Sequence, residues 1–276
     1  MVEEAERQCI RVKLVPDLTT DAELPYEVSY MEGMPVLSIR HQPTYEIENR
    51  FKKRAFDILV SLAVLIFILS WLYPLIALLI KLESRGPVLF RQLRSGRDNK
   101  PFWCYKFRSM RINTDSDSKQ ASRNDPRITR LGSFMRKTSI DELPQFLNVL
   151  EGYMSIVGPR PHMLIHTEQY RDIIEKYMIR QFLKPGITGW AQVNGYRGET
   201  KEPALMERRV AHDIWYMENW SAMLDVKIVF MTLINMLTGE ENARWTDAIV
   251  PAWRVDAVTA RVRSSINFWS AASATY

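Results

Sequence analysis

The stretch that decides the architecture is "AFDILVSLAVLIFILSWLYPLIALLI", Ala55 to Ile80. It carries a single charge, Asp57, near its start. As one helix it would reach about 39 Å, enough to cross the hydrocarbon core of a bilayer. Pro74 interrupts it. A proline has no amide hydrogen and frees the carbonyl four residues earlier, here Ser70, so a break or bend is expected between Ser70 and Pro74. Both flanks are basic: "RFKKR" (50–54) precedes the stretch, and Lys81, Arg85, Arg91 and Arg94 follow it. Basic flanks favour the cytoplasmic face. A straight span satisfies one flank, and a helix that enters, breaks and returns satisfies both. The residues alone leave both courses open.

Charge is distributed unevenly around this segment. The chain has 276 residues and a formal net charge of +5. Residues 1–50 hold five Lys/Arg against ten Asp/Glu, whereas residues 91–137 hold thirteen Lys/Arg against four Asp. A basic segment so poor in acids suits phosphates, anionic lipid headgroups or nucleic acid. The two cysteines, Cys9 and Cys104, are too far apart for a metal motif and too few for a disulfide scaffold. His162 and His166 have helical i, i+4 spacing, but no HExxH glutamate accompanies them, so they read as ordinary residues.

Upstream, "CIRVKLV" (9–15) and "MPVLSI" (34–39) are candidate strands. Residues 1–50 are too few for a core of their own and look like the end of a larger domain. The acidic start offers no cleavable signal peptide. Downstream, "FWCYKFRSM" (102–110) is strand-like, and residues 111–126 read as a polar loop. Helices are expected at 139–150, 163–182 and 203–218. "LDVKIVFMTLINML" (224–237) reads either as a buried helix or as one inserted at a membrane interface. Residues 241–276 show no strong pattern.

Immediately after the basic segment comes "TSIDELPQ" (138–145). Ser139 and Glu142 have capping-box spacing, which would put Asp141 in the first turn of a helix. A helix start of this kind also binds phosphate. "GYMSIVGPRP" (152–161) sets Arg160 between prolines, and "KPGITGWAQVNG" (184–195) has three glycines that permit close backbone approach to a ligand. Arg108, Arg136 and Arg160 offer forks for phosphate oxygens. Two acids beside phosphate suit Mg²⁺, and a carboxylate can attack phosphorus.

"KRAFDILVS", "YKFRSM", "NDPRITRLGSFMRKTSIDELPQFLNVLEG", "MSIVGPRP" and "KPGITGWAQVNGYRGE" resemble the bacterial sugar transferase family, the monotopic polyprenyl-phosphate glycosyl-1-phosphate transferases. The likeness runs from about Phe51 to about Leu237. It implies an α+β, mainly helical fold: a membrane-associated catalytic domain (86–240) on a re-entrant helix–break–helix anchor (51–85). Residues 1–50 would be the remnant of an upstream nucleotide-binding-like domain, and 241–276 a tail outside the family pattern. The resemblance further implies transfer of sugar-1-phosphate from a UDP-sugar to undecaprenyl phosphate, with Asp141 as covalent nucleophile. Glu142 would assist, Mg²⁺ would sit at Asp141 and Glu142, and Arg108, Arg136 and Arg160 would hold phosphates. "NGYRGETKEP" resembles members that transfer glucose-1-phosphate, at the start of exopolysaccharide or surface glycan synthesis. The implied setting is the bacterial inner membrane with the catalytic domain facing the cytoplasm. Membrane lipids and a second copy of the chain are candidate partners, and nucleic acid is not. Tyr153 departs from the family, which usually carries an acid there. A non-enzymatic, membrane-anchored scaffold of polysaccharide assembly is the competing reading.

Overall fold

The computed structural model describes residues 2–14, 27–31, 34–38, 40, 42–112, 125–198 and 203–238. Most of the loop expected at 111–126, and the tail 241–276, lie outside the described residues.

The apolar stretch forms one helix, Ile47–Glu83. It comprises α2 (Ile47–Val64), a π turn at Leu65–Leu69 and α3 (Ser70–Glu83). The chain stays helical through Ser70 and Pro74, so the irregularity lies one turn before the expected break. The widened turn has a local cause. Pro74 cannot donate to Ser70, and its ring crowds that carbonyl. The backbone answers by donating from Ser70 N to the Leu65 carbonyl, five residues back. The Ser70 hydroxyl and Trp71 Nε1 then donate to the carbonyls of Ile66 and Phe67.

One face of this helix is core. Leu69, Ile76 and Ile80 are buried with Phe107 and Met135, and Leu65 and Leu72 pack at the edge. Each fully buried side chain contributes about 1.5–3 kcal/mol. The other face leaves Leu59, Ile66, Phe67, Trp71, Leu78 and Leu82 exposed. A patch of that kind needs a partner or a membrane.

Both helix ends are fastened to the rest of the protein. Near the start, Lys53 pairs with Asp225 at 2.6 Å, and Arg54 donates to the carbonyls of Val149 and Leu150. Asp57 accepts from Ser155 Oγ and Ile156 N, both at 2.9 Å. The lone charge of the apolar stretch is therefore a buried staple. At the far end, Arg108 donates to the carbonyls of Ser84 and Arg85, and Glu83 accepts from Leu131 N.

The domain between these fastenings is built on an antiparallel hairpin, β4 (Leu89–Ser95) and β5 (Pro101–Phe107), in register Leu89 to Phe107. Asp98 and Asn99 turn it with left-handed φ of 55° and 56°. Then come α4 (Arg130–Lys137), α5 (Gln145–Glu151), β6 (Ser155–Val157) and α6 (Leu164–Ile173). They are followed by β7 (Gly186–Thr188), which pairs parallel to β6, and by α7 (Trp190–Val193), α8 (Pro203–Glu218) and α9 (Ala222–Thr238). The main core joins Phe102, Cys104, Val149, Met154, Val157, Trp190, Trp220 and Ile228.

Several expectations need correction. The helix expected over 163–182 ends at Ile173, and Tyr177–Phe182 is a 3-10 segment. All six of its residues are buried, whereas an amphipathic helix would bury one face. Of the described part of the strand expected at 9–15, only Lys13–Leu14 is strand, because Cys9 turns left-handed at the end of α1 (Val2–Arg7). In α9, Asp225, Ile228 and Met231 are buried while Met223, Val226, Phe230 and Leu233 are exposed, so one face is core and the other is bare apolar surface.

At the N-terminal side, β2 (Glu27–Met31) and β3 (Met34–Ser38) pair antiparallel, and β1 (Lys13–Leu14) pairs with β3. Arg11 bonds the Phe182 carbonyl and Asp98, and Arg40 pairs with Glu6 and Glu218.

Candidate active site

Asp141 and Glu142 lie on a single 3-10 turn, Ile140–Glu142, both buried. The turn is not the capped helix start that the spacing predicts. Ser139 adopts the left-handed conformation, φ 56° and ψ 15°, in which its hydroxyl cannot cap. That hydroxyl instead accepts from Arg197 at 2.6 Å. The cap that does form belongs to α4, where Thr129 accepts from Gly132 N.

The adjacent acids have opposite surroundings. Glu142 Oε1 accepts from Lys106 Nζ at 2.7 Å and from Arg160 at 2.8 Å. Burial alone would raise its pKa, but Arg160 and Lys106 outweigh that and hold it well below the usual glutamate range. Asp141 is different. Among the described residues its carboxylate has no hydrogen-bond or ion-pair partner, and neither oxygen is sealed from solvent. Burial pushes its pKa up, and the neighbouring Glu142 charge adds to the rise, against Lys106, Arg136 and Arg160. Glu142 is thus a fixed anion locked into structure, whereas the Asp141 carboxylate is not engaged by any side chain among the described residues.

The signs give a pH prediction. A depressed Glu142 stabilises the fold in full above its ordinary value of 4.5, and that contribution fades as pH falls through the lower folded value. A raised Asp141 does the reverse, costing stability as it ionises. Any chemistry that needs ionised Asp141 should therefore fall off on acidification at a pH above 3.8, while the Glu142 clamp is still intact. Circular dichroism and activity across pH 4–8 should separate the two transitions.

The supporting parts come from distant segments. Lys106 is on β5, and Asn148 on α5 bonds the Tyr105 amide and the Trp103 carbonyl, which ties the segment after the acidic turn to the hairpin edge. Arg160 arrives on the "GPRP" loop. Gly186 and Gly189, expected to admit a ligand, serve a different end. A Cβ on Gly186 would lie 2.1 Å from Gly158 N, and one on Gly189 would lie 2.2 Å from Gly158 O. These glycines let two backbone segments touch, and so fix the loop that carries Arg160.

Of the three arginines expected at phosphate, Arg160 lies on Glu142, and Arg136 is close enough to lower the pKa of Asp141. Arg136 Nε donates to Ser109 Oγ at 2.9 Å. Arg108 is turned elsewhere: two of its nitrogens hold the helix-end carbonyls of Ser84 and Arg85. Sequence reasoning missed Lys106, Asn148 and Arg197. All three act across long sequence separations, which no periodicity signals. Tyr153 stands more than half exposed, its ring stacked on Phe102.

His162 is buried between Tyr177 and Arg180, and burial with Arg180 keeps its pKa well below normal. Among the described residues no cluster of three metal-ligating side chains occurs.

A UDP-glucose:undecaprenyl-phosphate glucose-1-phosphate transferase of Escherichia coli K12 is 51% identical over 223 residues, 80% of this chain and 48% of its own length. A protein of the same name from Klebsiella pneumoniae is 47% identical, covering 84% of this chain and 50% of itself. A UDP-N-acetylgalactosamine-undecaprenyl-phosphate N-acetylgalactosaminephosphotransferase of Aeromonas hydrophila is 46% identical over 68% of this chain and 44% of itself. The chain spans about half the length of these curated relatives. The family model of the bacterial sugar transferases matches residues 48–239. On that match, which takes in the apolar helix, the acidic turn and the glycine-linked loops, the chain belongs to the bacterial sugar transferase family.

Proposed function

We propose that the chain moves glucose-1-phosphate from UDP-glucose to undecaprenyl phosphate, through a covalent phosphosugar on Asp141. The observation that carries this reading is the unpartnered Asp141 carboxylate beside an acid locked in place by Lys106 and Arg160. An oxygen of Asp141 bonds to the β-phosphorus. The bond from that phosphorus to the bridging oxygen breaks, and UMP leaves with the electron pair. An oxygen of the lipid phosphate then bonds to the same phosphorus. The Asp141–phosphorus bond breaks, which restores the carboxylate and yields the lipid diphosphosugar. Arg136 and Arg160 hold phosphate oxygens, and Arg108 secures the helix end. Glucose is favoured by the names of two of the relatives, while the third names N-acetylgalactosamine.

A divalent cation fits one of the two acids. Glu142 Oε1 is taken by two cations, whereas Asp141 is open, and Mg²⁺ commonly binds one carboxylate together with substrate phosphates. Asp141 would hold it, and Mg²⁺ would supply neutralisation of the diphosphate charge.

The fastenings support a particular membrane course. Both ends of the apolar helix dock on one domain, which supports both ends lying on one side of the bilayer. We place that side in the cytoplasm of a bacterial inner membrane, with the exposed apolar face dipping into one leaflet as a re-entrant anchor. Single cysteines at Lys52 and Arg85 should both react with an impermeant maleimide only from the cytoplasmic side; labelling from opposite sides would mean a span.

The direct test is UMP release from UDP-glucose with and without undecaprenyl phosphate. A burst of UMP matching the enzyme concentration, without acceptor, is expected. A scaffold without activity would release none, and a direct transfer between the two substrates would release none until acceptor is added.

A further inference from the structure

The catalytic turn is flanked by two segments that share a buried connection. On one side Arg160 grips Glu142. On the other Arg197 donates to Ser139 Oγ at 2.6 Å. The carbonyl of Arg160 accepts from Arg180 at 2.9 Å, and the carbonyl of Gly198, next to Arg197, accepts from Arg209 at 2.6 Å. Between these two arginines lies the His162 ring: Nε2 accepts from Arg180 at 3.2 Å and from Arg209 at 3.4 Å, while Nδ1, paired with the Tyr177 hydroxyl, carries the proton of the neutral imidazole. Arg180 is in turn fixed by Asp213 at 2.8 Å. The contacts close a ring: turn, Arg160 loop, Arg180, His162, Arg209, Gly198, Arg197 and back to the turn.

We propose that Arg209 is a positioning residue that, through Gly198 and Arg197, holds the turn bearing Asp141 against the Arg160 loop. The inference rests on the reading of Asp141 as nucleophile, and it assigns a role to a buried group that makes no hydrogen bond to Asp141 or Glu142. Arg209 can do this because its fork reaches a carbonyl and a ring nitrogen together, which a lysine cannot. Its partner stays neutral: His162 is buried between two guanidinium groups, and a proton there would add a third positive charge beside them. Burial brings the Arg209 pKa down to about 10, so it remains charged at working pH. Its Nε has no partner among the described residues, so the two terminal nitrogens carry the link.

The test compares Arg209→Lys, Arg197→Ala and the double variant, in nanodiscs, by hydrogen exchange and by UMP release. Losing one such bond costs about 1 kcal/mol, so amides of residues 138–143 should exchange about fivefold faster in each single variant. The kcat should fall roughly ten- to a hundredfold with KM for UDP-glucose little changed, as for a misplaced catalytic group. The double variant should be no worse than the poorer single one, because both break the same ring. Unchanged exchange at 138–143 in Arg209→Lys overturns the proposal, as does a double variant whose losses multiply. If Arg209→Lys does not fold, Arg197→Ala decides alone: unchanged exchange over 138–143 sinks the idea. Exchange needs no turnover, so a wild-type chain that releases no UMP would refute the functional reading without deciding this one.

Discussion

Asp141→Asn is expected to lower UMP release by roughly 10³-fold or more, the scale seen when a covalent nucleophile is removed. The fold should be spared. Asp141 has no partner among the described residues to lose, and its ionised form is disfavoured by burial in the folded chain. The thermal midpoint should hold or rise slightly while activity disappears. Glu142→Gln should behave differently. It strips the anion from between Lys106 and Arg160, leaving two cations without their counter-charge. Activity and stability should then fall together. Retained UMP release in Asp141→Asn, with deamidation excluded by mass, would remove the nucleophile from the account. A matched loss of stability in both variants would undo the division of labour between the two acids.

The largest effect on stability is expected at Asp213, outside the reacting centre. Asp213 and Arg180 are each 3% exposed at the side chain and pair at 2.8 Å. Asp213→Ala leaves Arg180 and Arg209 buried together with no anion. Breaking a buried pair in this way costs about 3–5 kcal/mol. For a chain of this size the midpoint should drop on the order of 10 °C. Replacing both partners, Arg180→Met with Asp213→Leu, should recover part of that loss, because only Arg209 then stays buried without an anion instead of two cations. Differential scanning fluorimetry of the purified protein checks both. Equal loss in the single and the double variant would show that packing, not charge, is what Asp213 supplies.

Some of this architecture is legible in the residues and some is not. The apolar run, the strand at 101–107, α8 and α9 follow from local pattern, because each buries one face or one whole segment. The acidic pair is visible as two carboxylates beside a basic run, but its setting is not. Capping-box spacing at Ser139 and Glu142 suggests a helix start, and the left-handed backbone at Ser139 overrides it. Glu142 then points to Lys106 and Arg160, 36 and 18 residues away, rather than back to its own turn. No periodicity encodes partners at that range. Pro74 marks an irregular helix, yet the irregularity lies a turn earlier, as a π turn at Leu65–Leu69 rather than an open break. The glycines at 186 and 189 announce close approach without saying to what. Their neighbour is the backbone at Gly158, and the consequence for Arg160 appears only in three dimensions.

The central claim is a bond between Asp141 and phosphorus, and it is best examined by intact mass and peptide mapping. The protein would be incubated with UDP-glucose and Mg²⁺, without lipid acceptor, and quenched in acid. A mass increase equal to one hexose phosphate, located on the peptide containing Asp141 and discharged by undecaprenyl phosphate, is the predicted result. An unmodified chain after stoichiometric UMP release, or an adduct on any other residue, would contradict it.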